Sequence, residues 1–362
     1  MSTAALSLPR RRLLPGLSWV TWRQHRLALA GTFLLLAAFT VLMVVNGRAM
    51  HHAYVADGLT TCGIVTGPGC AVQLGLFEQA YQGWVSALPA FLMLLPMVIG
   101  TFLGAPVVAR ELESGTFRFA WTQGASRTRW TVIRLALLGA AVTGLALAFA
   151  GVFTWWYGPW TAIDGRLSNS IGAYEVSGLV FAARTLFTLM LGAFLGALIR
   201  RTVAAMGATL LVSVGAVLAS ARWLRSHIEK PILAVISSAH PVSGAAPPRL
   251  ADKPTAWIIS QWTTNAAGAH LTSAQVRSVM QQAAATLFGS GPAGPGRGPV
   301  KVAPDSRGPL QSYFTQHGFT QWATFEPGSR FWHFQGVEAA AYVLVALLLA
   351  GATVWLVRRR RA

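Results

Sequence analysis

Few side chains in this 362-residue chain could do chemistry, so the placement of each carries weight: Asp and Glu number only 11, against 29 Lys and Arg. Two of the scarce acids, Glu111 and Glu113, share a short polar stretch, ARELESGTFRFAWTQGASRTRW (109–130), with Arg118, Arg127 and Arg129. Acids and arginines on so short a segment supply orientable ion pairs for a protein joint, and Phe117, Phe119 and Trp121 supply apolar anchors. A solvated connection explains Arg127 and Arg129 equally well, but not the two glutamates. Arg184 lies about 12 Å inside an apolar run at helical rise, with Glu338 and Glu175 as its nearest counter-ions. An intramembrane charge is a functional candidate by default, and a buried pair holding two helices together fits as well. Cys62 and Cys70 flank a Gly-rich turn (CGIVTGPGC), a spacing suited to a disulfide on an exported loop. Zinc held with the help of His51 and His52 is the rival, but the spacing matches no zinc motif, so no metal site is expected. There is no G-x-x-x-x-G-K-[ST], H-E-x-x-H or G-x-S-x-G, and no row of intramembrane acids or histidines for a proton relay. The chain is therefore expected to bind no cofactor and to catalyse no reaction alone.

The elements that position these groups follow from composition. Hydrophobic residues make up 54% and charged residues 11%, with mean hydropathy +0.50 and net charge +18. Soluble domains carry about 25% charged residues, so an ordinary cytosolic enzyme and a disordered chain are both excluded. The positive charge does not point to nucleic acid, because the arginines sit at the ends of apolar runs, where they report membrane topology. A hydrocarbon core of ~30 Å needs about 20 apolar residues in a helix. Six stretches qualify: Leu27–Val45, Trp84–Val108, Thr131–Trp156, Val176–Ile199, Thr202–Ala219 and Val337–Val357. With the N-terminus inside, 16 of the 29 positive residues become cytoplasmic, the two shorter external loops hold only Arg48 and Arg166, and ten lie in a long external loop. Ten of the 14 tryptophans fall near span ends, where amphipathic rings prefer to sit.

The expected class is an all-α polytopic membrane protein with six transmembrane helices, both termini cytoplasmic, and a large external loop between helices five and six. Residues 1–26 form a cytoplasmic N-terminus, 27–219 carry five spans with the polar segment 109–130 between the second and third, 220–334 form the external module, and 335–362 hold the last span with a basic tail. Within LSWVTWRQHR (17–26), Trp19 and Trp22 precede Arg23 and Arg26, as in a short helix lying along the inner leaflet; a plain basic flank is the alternative. In the external loop Thr272–Leu287 reads as a helix with a Thr272/Gln275 capping box, followed by a Gly/Pro-rich linker. Gly100-x-x-x-Gly104 and Gly192-x-x-x-Gly196 permit close helix approach, a frequent and weak signal.

The glutamate-bearing segment after the second of six spans, followed by Gly115-Thr116, resembles the permease subunits of type-2 ABC transporters, the ABC-2 family. WVTWRQHR (19–26) and PGSRFWHFQGVEAA (327–340) are similar to two further signatures of its actinobacterial branch. The resemblance implies a bacterial cell-membrane exporter of a small hydrophobic, drug-like or lipidic molecule. A separate cytoplasmic ABC ATPase in two copies would hold ATP and Mg. A second permease subunit would complete the transporter, as a homodimer in preference to a heterodimer, with membrane lipid around it and no nucleic acid. It further implies that Glu111, Glu113, Gly115, Thr116, Phe117, Arg118 and Trp121 belong to the ATPase-coupling segment, and Trp19, Trp22, Arg23 and Arg26 to an interfacial helix. Gly124-Ala125 stands where many relatives have proline, which leaves the end of the coupling helix open. A non-transporting sensor or scaffold with an external ligand-binding loop is the alternative; a secondary transporter would want inverted repeats, and none is visible.

Overall fold

The computed structural model describes residues 13–62, 68–114, 126–164, 172–237, 257–288 and 307–359. Six helices are long and apolar enough to cross a membrane: Arg26–Ala56, Val72–Glu113, Thr128–Trp156, Gly178–Ile199, Thr202–Ile228 and Gly328–Arg359. These are the six expected spans, most of them longer than their apolar cores. The first lies within an unbroken helix, Leu13–Ala56, about 66 Å long at helical rise and over twice the ~30 Å hydrocarbon core. No separate interfacial helix is set off at residues 17–26, because the stretch from Leu17 to Ala30 contains no glycine or proline to break it. Trp19 is exposed there, with the Arg23 guanidinium 5.3 Å from its ring.

The fourth span, Gly178–Ile199, is the most buried and serves as the axis around which spans two, three, five and six pack. Its small residues make this possible. A Cβ on Gly192 would stand 2.5 Å from the Gly100 carbonyl oxygen and 2.6 Å from the Ala105 nitrogen, and one on Gly196 would meet the Ala105 oxygen at 2.4 Å. Across the seam, Cβ atoms on Gly100 and Gly104 would strike the backbone of Thr188 and Leu189. The two small-xxx-small motifs thus face one another and let two backbones touch. Span two is not a regular rod here. Pro96 follows a turn at Met93–Leu94, and Gly100–Gly104 forms one turn of π-helix. Thr188 Oγ1 donates to the Pro96 carbonyl at 2.6 Å, tying the irregular stretch to span four.

Span five does not stop at Ala219. It continues through a π-turn, Ser220–Leu224, and a last turn, Arg225–Ile228. The apolar run ends at 219, but the helix persists because its next polar residues find buried partners. Outside the spans the chain adds a feature that periodicity did not reveal, a three-stranded antiparallel sheet of β1 (Ile232–Ser237), β2 (Trp257–Thr264) and β3 (Thr320–Glu326) in the order β1-β3-β2. Strands β1 and β2 each carry a register irregularity, between Val235 and Ser237 and between Ile258 and Ser260, which blurs the alternation. Its core is small, Ala234, Ala323 and Phe325. β1 follows span five after three residues, and β3 leads through Pro327 and the short helix Gly328–Arg330 into span six. The expected external helix forms as Ser273–Phe288, with Gln275 Oε1 accepting from the Thr272 amide at 2.8 Å.

Substituting leucine at Gly192 forces the backbones of spans two and four apart, an overpacking expected to cost about 1–3 kcal/mol. Thermal unfolding of the detergent-purified protein should show a lower midpoint for Gly192→Leu. Gly207→Leu, where a Cβ meets nothing within 4 Å, should unfold like the parent.

Candidate functional site

Two polar clusters stand out, one at each end of span five. At the cytoplasmic end, by the arginine distribution, the two glutamates of the polar segment are both engaged by neighbouring spans. Glu111 Oε1 accepts from Arg134 Nη1 of span three at 2.5 Å, and the Arg134 guanidinium also lies 4.7 Å from the Trp130 ring centroid. Glu113 Oε2 accepts from both the amide (3.0 Å) and the hydroxyl (2.6 Å) of Thr202, the first residue of span five. A helix leaves its first amides unpaired, and a carboxylate there satisfies one of them and complements the dipole. Here the cap comes from another span. Spans four and five are joined only by Arg200, held at φ 61°, and Arg201, so the capped terminus sits directly under span four. The last turn of span two is thereby fastened to span three through Glu111 and to span five through Glu113. Gly115, Thr116, Phe117, Arg118 and Trp121 lie outside the described residues, as do the side chains of Trp22 and Arg127.

At the other end, four charges are buried where spans four, five and six meet. Glu338 is fully buried, and Arg184 lies 3.6 Å from it, about 9 Å inside span four at helical rise. The expected pair is therefore present, but it is not the tightest contact. Arg225, on the last turn of span five, reaches Glu338 with Nε at 3.0 Å and Glu175 with Nη2 at 2.8 Å, while Ser220 donates to Glu338 at 2.7 Å. Glu175 thus serves Arg225 rather than Arg184. The Arg184 nitrogens find no hydrogen-bond acceptor among the described residues; the group is held by charge and by the Tyr342 ring, 5.5 Å away. Tyr174, whose ring lies 4.1 Å from the Arg225 guanidinium carbon, has its phenol pushed far up by burial and then by the charge of Glu338, which keeps it neutral. Gln335 completes the junction. Its Oε1 accepts from the Val180 amide (2.9 Å) and its Nε2 donates to the Tyr174 carbonyl (3.0 Å), bridging the break at Ser177–Gly178.

Arg225 and Ser220 escaped the sequence reading because the apolar run ends before them. Charge balance held the clue: two acids nominated for one arginine leave a net negative charge in a low-dielectric site, so a second cation is required. Just outside, Arg330 donates to Glu326 at 2.6 Å and to the Lys230 carbonyl at 3.2 Å and pairs with Glu229, clamping the sheet to the mouths of spans five and six. His51 stacks on Trp155 with ring centroids 4.8 Å apart and shares a 2.9 Å hydrogen bond with its carbonyl, and no group of three or more metal-ligating side chains occurs among the described residues. The Cys62 side chain lies outside the described residues.

Each cluster joins helices through charge, one at the inner face and one near the outer face. Residues 33–225, more than half of the chain, match the family model described as ABC-2 membrane transporter related; the match spans the inner cluster and ends at Arg225. No curated protein matches the chain, and no solved structure does.

Removing one member of a buried ion pair strands its partner and costs about 3–5 kcal/mol. Glu338→Ala, which leaves both Arg184 and Arg225 without their shared acid, should lower folded yield and the unfolding midpoint markedly. Glu229→Ala, which breaks a half-exposed pair, should cost no more than ~1 kcal/mol.

Proposed function

The chain belongs to the ABC-2 membrane transporter related family, and from that membership we propose that a separate cytoplasmic ATPase drives it through residues 109–130. It is a permease subunit of an ABC transporter, a multi-pass protein of the cell membrane. In the proposed assembly two ATPase copies hold ATP and Mg, and two copies of this chain form the pathway. The cargo is a small hydrophobic, drug-like or lipidic molecule moving outward, in keeping with the strongly apolar composition of the six spans.

The observation that carries this reading is the fastening of the last turn of span two by Glu111 and Glu113. An ATPase that closes on nucleotide and displaces the 109–130 segment would act on spans three and five at once, because both are held to that turn by charged hydrogen bonds. Span five would carry the displacement to the Glu338–Arg225 junction, where a π-turn supplies a place for the helix to adjust. The sequence holds no G-x-x-x-x-G-K-[ST]. A sensor with an external ligand site has the folded sheet in its favour, but the charged clusters sit where force must pass, not in an external cleft.

Charge-assisted hydrogen bonds contribute about 1.5–3 kcal/mol each. The double variant Glu111→Ala/Glu113→Ala should insert normally yet co-purify with less ATPase, or hydrolyse ATP in the assembled complex at a rate that no longer responds to added cargo-like hydrophobic dyes. A double variant that assembles and responds like the parent refutes the coupling role. The external cysteines are proposed to be paired: mass spectrometry without reductant should recover a Cys62–Cys70 crosslinked peptide from native membranes, and alkylation of both thiols there would contradict it.

A further inference from the structure

We propose that a groove between spans three and six is a binding site for one anionic phospholipid of the inner leaflet. The groove has a volume of about 640 Å³ and is lined by Val132, Ala136 and Gly139 of span three and Gly351 and Val354 of span six, with Met190 of span four at its floor. Small residues create the space: a Cβ on Gly351 would meet nothing within 4 Å. Thr143 is the one lining residue with a polar side chain, and its hydroxyl is buried rather than turned into the groove.

Two features identify the occupant. The first is length. The groove runs along span three from Val132 to Thr143, about 16 Å at helical rise, which is one leaflet of a ~30 Å hydrocarbon core. An acyl chain fits that run, entering from the cytoplasmic surface and ending near the midplane. The second is charge. Helix neighbours three and four residues apart share a face. Arg129 therefore continues the Val132 stripe at the cytoplasmic mouth, three residues before it, and Arg358 continues the Val354 stripe, four residues after it. Neither is engaged in an ion pair among the described residues, in contrast to Arg134, which Glu111 occupies, and Arg359, which stacks 4.4 Å over the Trp355 ring. Two free guanidinium groups flanking the open end of a leaflet-length apolar slot suit a phosphate headgroup with its chain inserted. The inference rests on the placement of the spans in the membrane and is independent of the transport reading.

The test uses the full-length protein purified in mild detergent and exchanged against phosphatidylglycerol or phosphatidylcholine of equal chain length, with retained lipid counted by native mass spectrometry. Each arginine near the surface contributes roughly 1 kcal/mol toward an anionic lipid, so the parent should retain phosphatidylglycerol about 30-fold more strongly. Arg129→Gln/Arg358→Gln should lose that preference while keeping its fold by thermal unfolding. Gly351→Leu, which fills the slot without a clash, should retain less of both lipids. Equal retention of the two lipids by the parent, or an unchanged preference in the double arginine variant, overturns the proposal. So does efficient crosslinking of Leu347→Cys to a second copy of the chain in membranes, which would show that protein covers the groove.

Discussion

The fold is organised around the difficulty of keeping charge in a low-dielectric interior. An isolated carboxylate or guanidinium there is costly by several kcal/mol even after relaxation, and only close pairing with further hydrogen bonds offsets it. Glu338 meets that demand with Arg225, Ser220 and the nearby Arg184, while Glu175 takes the remaining face of Arg225. Two acids and two arginines balance. Because these groups come from the segment before span four and from spans four, five and six, the pairing fixes how the outer ends of three helices meet. Hydrophobic residues alone could pack these helices in several registers; the buried charges admit few.

The inner face uses charge differently. Glu111 is partly buried against the buried Arg134, whereas Glu113 is exposed, so the Glu113 contact is the weaker and can be remade. What they join is mechanical: the last turn of span two to the starts of spans three and five. Span five thus has a modest, exchangeable attachment at its cytoplasmic end and a tight one at its outer end, with a π-turn just before the tight one. The sheet continues directly from it through β1 and returns into span six through β3, clamped by Arg330. Three residues, Glu229, Lys230 and Pro231, link span five to β1.

Much of this was legible in the residues. Six apolar runs of the right length, bracketed by arginine and tryptophan, gave the spans, because the bilayer imposes a length and a polarity that leave few alternatives. The facing glycine motifs were visible but not decidable, since small residues spaced by four recur by chance. Arg184 and Glu338 could be nominated because a charge in an apolar run is conspicuous. Arg225 could not, because it lies beyond the apolar run, where a helix continues only if partners distant in sequence receive it. The sheet was hidden for a related reason: its strands lie far apart in the chain, two are bulged, and its core is three side chains. Glu111 and Glu113 drew attention as candidate contacts for another protein, while their partners within the chain, Arg134 and Thr202, were set by tertiary packing alone.

In the proposed transporter, span five carries motion from the inner face to the buried charges near the outer face. Hydrogen exchange measured by mass spectrometry on the proposed permease–ATPase assembly in lipid nanodiscs, nucleotide-free and then trapped with ATP, reads that motion residue by residue. Exchange should change together at the Thr202 end of span five and at the Ser220–Arg225 turn. A change confined to residues 109–130, with span five exchanging identically in both states, would contradict it.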